Sequence, residues 1–140
     1  MILKTIHTLF YFAVPSDPPS EVTLSALNST ALWVNITLPP RDKRNGIIIG
    51  YKVQLTSETN EVHIQEYPCS YIVQWNKTEL FGDENVTRVV FGGLRPYFDY
   101  TCTVQAFTRV GLGPLSDPIL EKTAETGMVF VFFKRFYLYL

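Results

Sequence analysis

The residues best suited to nucleophilic or metal chemistry are Cys69, Cys102, His7 and His63, and their spacing supports neither. Neither cysteine belongs to a C-x-x-C pair, and a structural zinc site needs about four ligands. The chain carries no G-x-S-x-G elbow, no phosphate-binding G-x-x-x-x-G-K-[ST] loop and no H-E-x-x-H helix motif. Asp83 and Glu84 are an adjacent acidic pair. On a strand such neighbours point to opposite faces, and in a loop they are simply solvated. No catalytic residue, cofactor or metal ion is therefore expected. Arg41, Lys43 and Arg44 cluster in one loop and have the chemistry to meet a sulfated glycan. Asp42 dilutes that patch, and the formal net charge of the chain is −1. A solvated loop is the better reading. A near-neutral chain also argues against nucleic-acid binding, which needs a strongly basic surface.

One modification chemistry does stand out. Four N-x-[ST] sequons lie at Asn28, Asn35, Asn76 and Asn85, none with proline in the middle. The motif arises by chance about once in a few hundred residues of average composition. Four in so short a chain point to N-glycosylation and the secretory pathway. The plain alternative is a β surface rich in Ser, Thr and Asn. Cys69 and Cys102 leave two readings open. One is a disulfide tying the segment around Cys69 to the core. The other is a buried free thiol acting as a small hydrophobe.

The elements that hold these residues read as strands. After Pro15-Ser16-Asp17-Pro18-Pro19-Ser20, an extended proline-rich linker, short alternating runs follow one another between turn residues. They are Glu21 to Leu27, Ala31 to Leu38, Ile47 to Leu55, Val62 to Gln65, Tyr71 to Trp75, Thr87 to Phe91, Asp99 to Thr108 and Leu115 to Thr123. In the second run Leu32, Val34, Ile36 and Leu38 alternate with Trp33, Asn35 and Thr37. That pattern places Asn35 and Trp33 on the outer face of a strand buried on one side. Thr56 to Glu84 is longer than a sandwich needs and reads as an enlarged loop or extra edge hairpin.

The densest signal is Gly93-Leu94-Arg95-Pro96-Tyr97-Phe98-Asp99-Tyr100. Leu94 is placed to plug the end of the core, and Pro96 to turn the chain between sheets. Tyr100 is placed to send its ring inward and its hydroxyl back to the upstream backbone, the tyrosine-corner geometry. With Pro18-Pro19, Leu32/Val34, Gly50-Tyr51-Lys52-Val53, Val104, Ala106 and Gly111-Leu112-Gly113-Pro114-Leu115-Ser116, this run resembles the fibronectin type III family. The resemblance covers residues 18–125. It implies an all-β fold, a seven-stranded antiparallel immunoglobulin-like sandwich. Ile36 stands where that family usually has a core tryptophan, and Trp33 on the outer face is no substitute.

Residues 1–17 read as a signal peptide or as a linker. Residues 126–140 contain the apolar aromatic run MVFVFFKRFYLYL. It is shorter than the roughly 20 residues of a spanning helix, and Lys134-Arg135 interrupts it. A truncated membrane segment, an interfacial anchor and non-native sequence from a read-through exon are the three readings. The last is favoured, because an unpartnered aromatic tail is a sticky patch.

The resemblance implies an extracellular module of a cell-surface receptor or adhesion protein. Such a module meets other proteins through loops or sheet faces. It would touch a membrane only through a parent protein or the tail. An origin in a receptor-type tyrosine phosphatase ectodomain, or in an intracellular scaffold, is the alternative. Neither an Arg-Gly-Asp nor a W-S-x-W-S box is present to name a ligand class.

Overall fold

A computed structural model describes residues 13–69 and 85–126, together with the backbone of two short strands at 128–130 and 137–139. The expected strand at Tyr71 to Trp75, the sequon at Asn76 and residues 1–12 lie outside the described residues.

Period-two alternation sets the architecture. β1 (Glu21–Asn28), β2 (Ala31–Thr37) and β5 (Val86–Phe91) form one antiparallel sheet in the order β1-β2-β5. β3 (Gly50–Ser57), β4 (Val62–Pro68), β6 (Asp99–Phe107) and β7 (Ile119–Lys122) form the second, in the order β4-β3-β6-β7. A two-stranded antiparallel sheet pairs β8 (Met128–Phe130) with β9 (Tyr137–Tyr139). The only helical element among the described residues is one 3-10 turn, Arg41–Lys43. No helix among them is long and apolar enough to cross a membrane.

The core sits where the two inner faces meet. Leu32, Val34 and Ile36 come from β2, Tyr51, Val53 and Leu55 from β3, and Tyr100, Cys102, Val104 and Ala106 from β6. All ten are fully buried. Around Ile36 the same cluster holds the rings of Tyr51 and Phe91 as well as Cys69. Trp33 faces outward, paired across the sheet with Ser25 and Val90, under the Arg88 guanidinium 4.2 Å from its ring.

Two glycines shape the frame. A Cβ on Gly50 would meet the Tyr67 carbonyl oxygen at 2.5 Å and Phe107 Cζ at 2.7 Å. Gly50 thus lets β4 and the end of β6 close on β3 together. Gly93 has φ +74°, the left-handed region that admits glycine without a Cβ penalty, just before the corner.

Several boundaries differ from expectation. The run expected at Ile47 to Leu55 lies instead at Gly50–Ser57, and the one expected at Val62 to Gln65 continues to Pro68. The last strand begins at Ile119, not Leu115. Pro114 and Pro118 lack the N–H that a ladder needs. In their place Ser116 makes a local bridge, its N–H donating to the Val104 carbonyl and its Oγ accepting from the Val104 N–H, both at 2.9 Å. The proline-rich segment is also not a free linker. Pro15 is buried beside Gly113, Ser16 N–H donates to the Lys43 carbonyl at 2.9 Å, and Thr108 Oγ1 donates to the Ala13 carbonyl at 3.0 Å.

Candidate functional site

Leu94, Pro96 and Tyr100 build the corner between the two sheets. Leu94 is buried, and its N–H donates to the Thr30 carbonyl at 2.9 Å. The Tyr100 hydroxyl accepts a hydrogen bond from the Arg95 N–H at 2.8 Å. Tyr97 takes φ +51°, which turns the chain back towards β6. A buried residue that pattern reading passes over, Thr123, locks this corner from the far side. Its Oγ1 donates to the Arg95 carbonyl at 2.6 Å and accepts from the Phe98 N–H at 3.0 Å. Nothing in its local sequence marks it, because the partners lie 25 and 28 positions away.

The cysteines do not form the bridge that was one of the two expectations. Both are free and buried. The Cys69 N–H donates to the Ile49 carbonyl, whereas Cys102 pairs with Leu55. Six positions along the chain, from Ile49 to Leu55, separate those levels, or about 20 Å of extended backbone. A disulfide needs Cα atoms within about 7 Å. Cys69 is also not peripheral: it is fully buried, with Sγ 3.8 Å from the Tyr51 hydroxyl and 3.9 Å from Thr87 Oγ1. Burial pushes the Cys102 thiol pKa up to about 12. Such a thiol is a poor nucleophile at neutral pH. No cluster of metal-ligating side chains exists among the described residues.

Three sequons lie in described segments, in three different settings. Asn28 ends β1 in the turn to β2, and Thr30 beside it is exposed. Asn35 is on the outer face of β2, half-buried, opposite Thr23 and Arg88. Asn85 is exposed at the start of β5, but Thr87 of the same sequon faces the core and is 4 % exposed. Asn76 lies outside the described residues.

Among the described residues two surfaces expose large apolar side chains. The outer face of the four-stranded sheet carries a cross-strand row, Val62-Thr56-Thr101-Leu120, with Ile64 beside it. Val62, Ile64 and Leu120 are each more than half exposed. At one end of the sandwich lie the loops around Arg41–Lys43 and Thr108–Gly113, with Ile47 and Val110 exposed. Arg44 is not free there to bind an anion in full, because its Nε donates to the Pro39 carbonyl at 2.8 Å.

A family model described as "Fibronectin type III domain" matches residues 17–122. The chain is 33 % identical over 112 residues to the cell adhesion molecule Dscam1 of Drosophila melanogaster, covering 79 % of this chain and 5 % of that protein. It is 32 % identical over 124 residues to the receptor-type tyrosine-protein phosphatase F of Rattus norvegicus, covering 86 % of this chain and 6 % of that protein. It therefore spans about one-twentieth of the length of such relatives. Among solved structures, the FN5 domain of Drosophila Lar superposes with a TM-score of 0.55 at 27 % identity, covering 79 % of this chain and 98 % of that one.

Proposed function

The chain belongs to the fibronectin type III family, and from that premise we propose that it works outside the cell, as a protein-interaction or spacing module of a receptor or adhesion protein, without catalysis. The observation that carries this reading is the path of the chain through the sandwich. Residues 13–16 are held against the loops that contain Lys43, Asn45 and Thr108. The chain leaves at the other end, where the Ala124 N–H donates to the Asn28 carbonyl and its carbonyl accepts from the Tyr97 N–H. β6, with nine residues, runs between these ends, which sets them about 30 Å apart. A module that takes the chain in at one end and releases it at the other transmits position along a series.

The relatives support the same reading. They include a protein named as a cell adhesion molecule and one named as a receptor-type phosphatase. Partners would be other proteins, met through the outer face bearing Val62, Ile64 and Leu120 or through the loops at the end where the chain enters. The sequons suit a secreted or surface-exposed chain. The test is a membrane-impermeant biotin reagent applied to intact cells that express the native protein. Labelling of intact cells is expected. Labelling only after permeabilisation overturns the extracellular placement.

A further inference from the structure

The three described sequons differ in whether the fold leaves the whole motif, carboxamide, backbone and hydroxyl, within reach of an enzyme. We propose that Asn28 accepts an N-linked glycan on the folded domain, whereas Asn35 and Asn85 accept one only before the domain folds. The proposal builds on the secretory placement above, but its chemistry can be tried apart from it. The donor class is a polyisoprenyl-pyrophosphate oligosaccharide, and the catalyst an oligosaccharyltransferase. The asparagine Nδ2 attacks C1 of the first sugar. The C–N bond forms as the bond from C1 to the pyrophosphate oxygen breaks. The electron pair leaves with the lipid pyrophosphate, and one Nδ2 proton passes to a base. No electron transfer is involved. The N-x-[ST] motif itself shows that such an enzyme must reach the carboxamide and the hydroxyl two residues on at the same time.

At Asn28 the fold presents both. Asn28 Oδ1 accepts from the Thr30 N–H at 2.9 Å and from Thr30 Oγ1 at 3.2 Å, so the carboxamide and the hydroxyl already meet in an Asx turn. Both bonds are at the solvent surface. With Oδ1 occupied, Nδ2 is the end of the carboxamide left to react. The turn backbone is pinned by Leu94 and Ala124, so the shape persists.

At Asn35 the fold withholds the sequon. β2 is the central strand of its sheet, with Asn35 opposite Thr23 on one side and Arg88 on the other. The middle residue, Ile36, is fully buried. Bending 35–37 into an active site would break both ladders and pull Ile36 from the core, which amounts to unfolding. A glycan already attached would still emerge on the outer face. At Asn85 the obstacle is the hydroxyl, since Thr87 lies in the core with Oγ1 3.9 Å from Cys69 Sγ.

The experiment uses the full chain produced in bacteria without glycans. The folded protein is incubated with purified oligosaccharyltransferase and lipid-linked oligosaccharide, and occupancy at each sequon is read by peptide mass. Asn28 should be occupied, and Asn35 and Asn85 should stay at background. Thr30→Ala should abolish native-state transfer and Thr30→Ser should retain it. A Val34→Asp variant, which disrupts the core and leaves every sequon intact, should accept at Asn35 and Asn85 as well. An unmodified Asn28 in the folded chain overturns the proposal. So does occupancy of Asn35 or Asn85 in the folded chain equal to that of Asn28, or their silence in the unfolded variant. None of these outcomes depends on where the native protein resides, so surface biotinylation fails or succeeds separately.

Discussion

The Tyr100 hydroxyl and the Arg95 N–H meet at 2.8 Å, five positions apart, and that bond ties the start of β6 to the turn that delivers it. The ring of Tyr100 is fully buried. The hydroxyl accepts from the Arg95 N–H, and no second acceptor for that N–H stands among the described residues. Tyr100→Phe keeps the ring and removes the acceptor, and should lower stability by about 1–3 kcal/mol. Chemical denaturation should show a lower midpoint with an unchanged slope. An unchanged midpoint would show that the bond contributes nothing.

Thr123 closes the same corner from the other side, 2 % exposed and bonded to both Arg95 and Phe98. Thr123→Val keeps the shape but orphans a carbonyl and an N–H, so its loss should match or exceed that of Tyr100→Phe. Because both residues bind the Arg95 backbone, the double variant should lose less than the sum. Strict additivity in a double-mutant cycle would show that the two bonds act independently.

Such corners divide what the sequence makes readable from what it hides. The alternation Leu32, Val34, Ile36 against Trp33, Asn35, Thr37 is local, and the faces it predicts are those of the folded strand. Tyr100 was legible because its partner lies only five residues away in a recognisable run. Thr123 was not, because a polar residue at the end of a strand looks solvated until the fold brings distant backbone to it. The level of Cys69 along β3 was hidden for the same reason. It depends on the register of β4 against β3, which spacing within either strand does not specify.

Gly50 gives a sharper steric prediction. Gly50→Ala would set a methyl 2.5 Å from the Tyr67 carbonyl oxygen and 2.7 Å from the Phe107 ring. The ring can turn aside, but the carbonyl belongs to the β3–β4 ladder. A loss of about 1–3 kcal/mol is expected, as for other overpacked sites. Hydrogen exchange should show it concentrated in β4. Gly92→Ala, where the methyl meets nothing within 4 Å, is the control and should be mild. Equal losses at the two positions would contradict the steric account.

The buried thiol of Cys102 makes stability depend on alkaline pH. Its pKa is about 12 in the folded protein against 9.0 for the free group. Below pH 9 both states hold the proton and the stabilisation is complete. Between pH 9 and about 12 the unfolded state loses the proton first, so stability falls with rising pH. The slope approaches about 1.4 kcal/mol per pH unit for one proton. Tyr67 is also raised, by burial first and by Cys102 second, and acts in the same direction. Cys102→Ala leaves a small cavity whose cost does not change with pH, so the slopes are the quantity to compare. Its slope above pH 9 should be shallower than that of the parent chain. Equal slopes would remove Cys102 as the cause.

Docking of the proline-rich segment is the geometry on which the spacing role depends, and Gly113 is the place to break it. A Cβ at Gly113 would stand 2.8 Å from Pro15 Cβ and 3.0 Å from the Pro15 carbonyl oxygen. Gly113 also donates its N–H to the Ala106 carbonyl at 2.8 Å, so it is held by β6 and has little room to retreat. The segment has less to hold it. Its bonds run to Lys43, Asn45 and Thr108, all at loop positions. In Gly113→Ala the segment should therefore yield before the strand does. Limited proteolysis should cut within residues 13–17 faster in the variant, while the unfolding midpoint of the sandwich moves by less than it does in Gly50→Ala. Gly113→Ala with unchanged cleavage would show that Pro15 and the loop shift together and that the seat is more compliant than these distances imply.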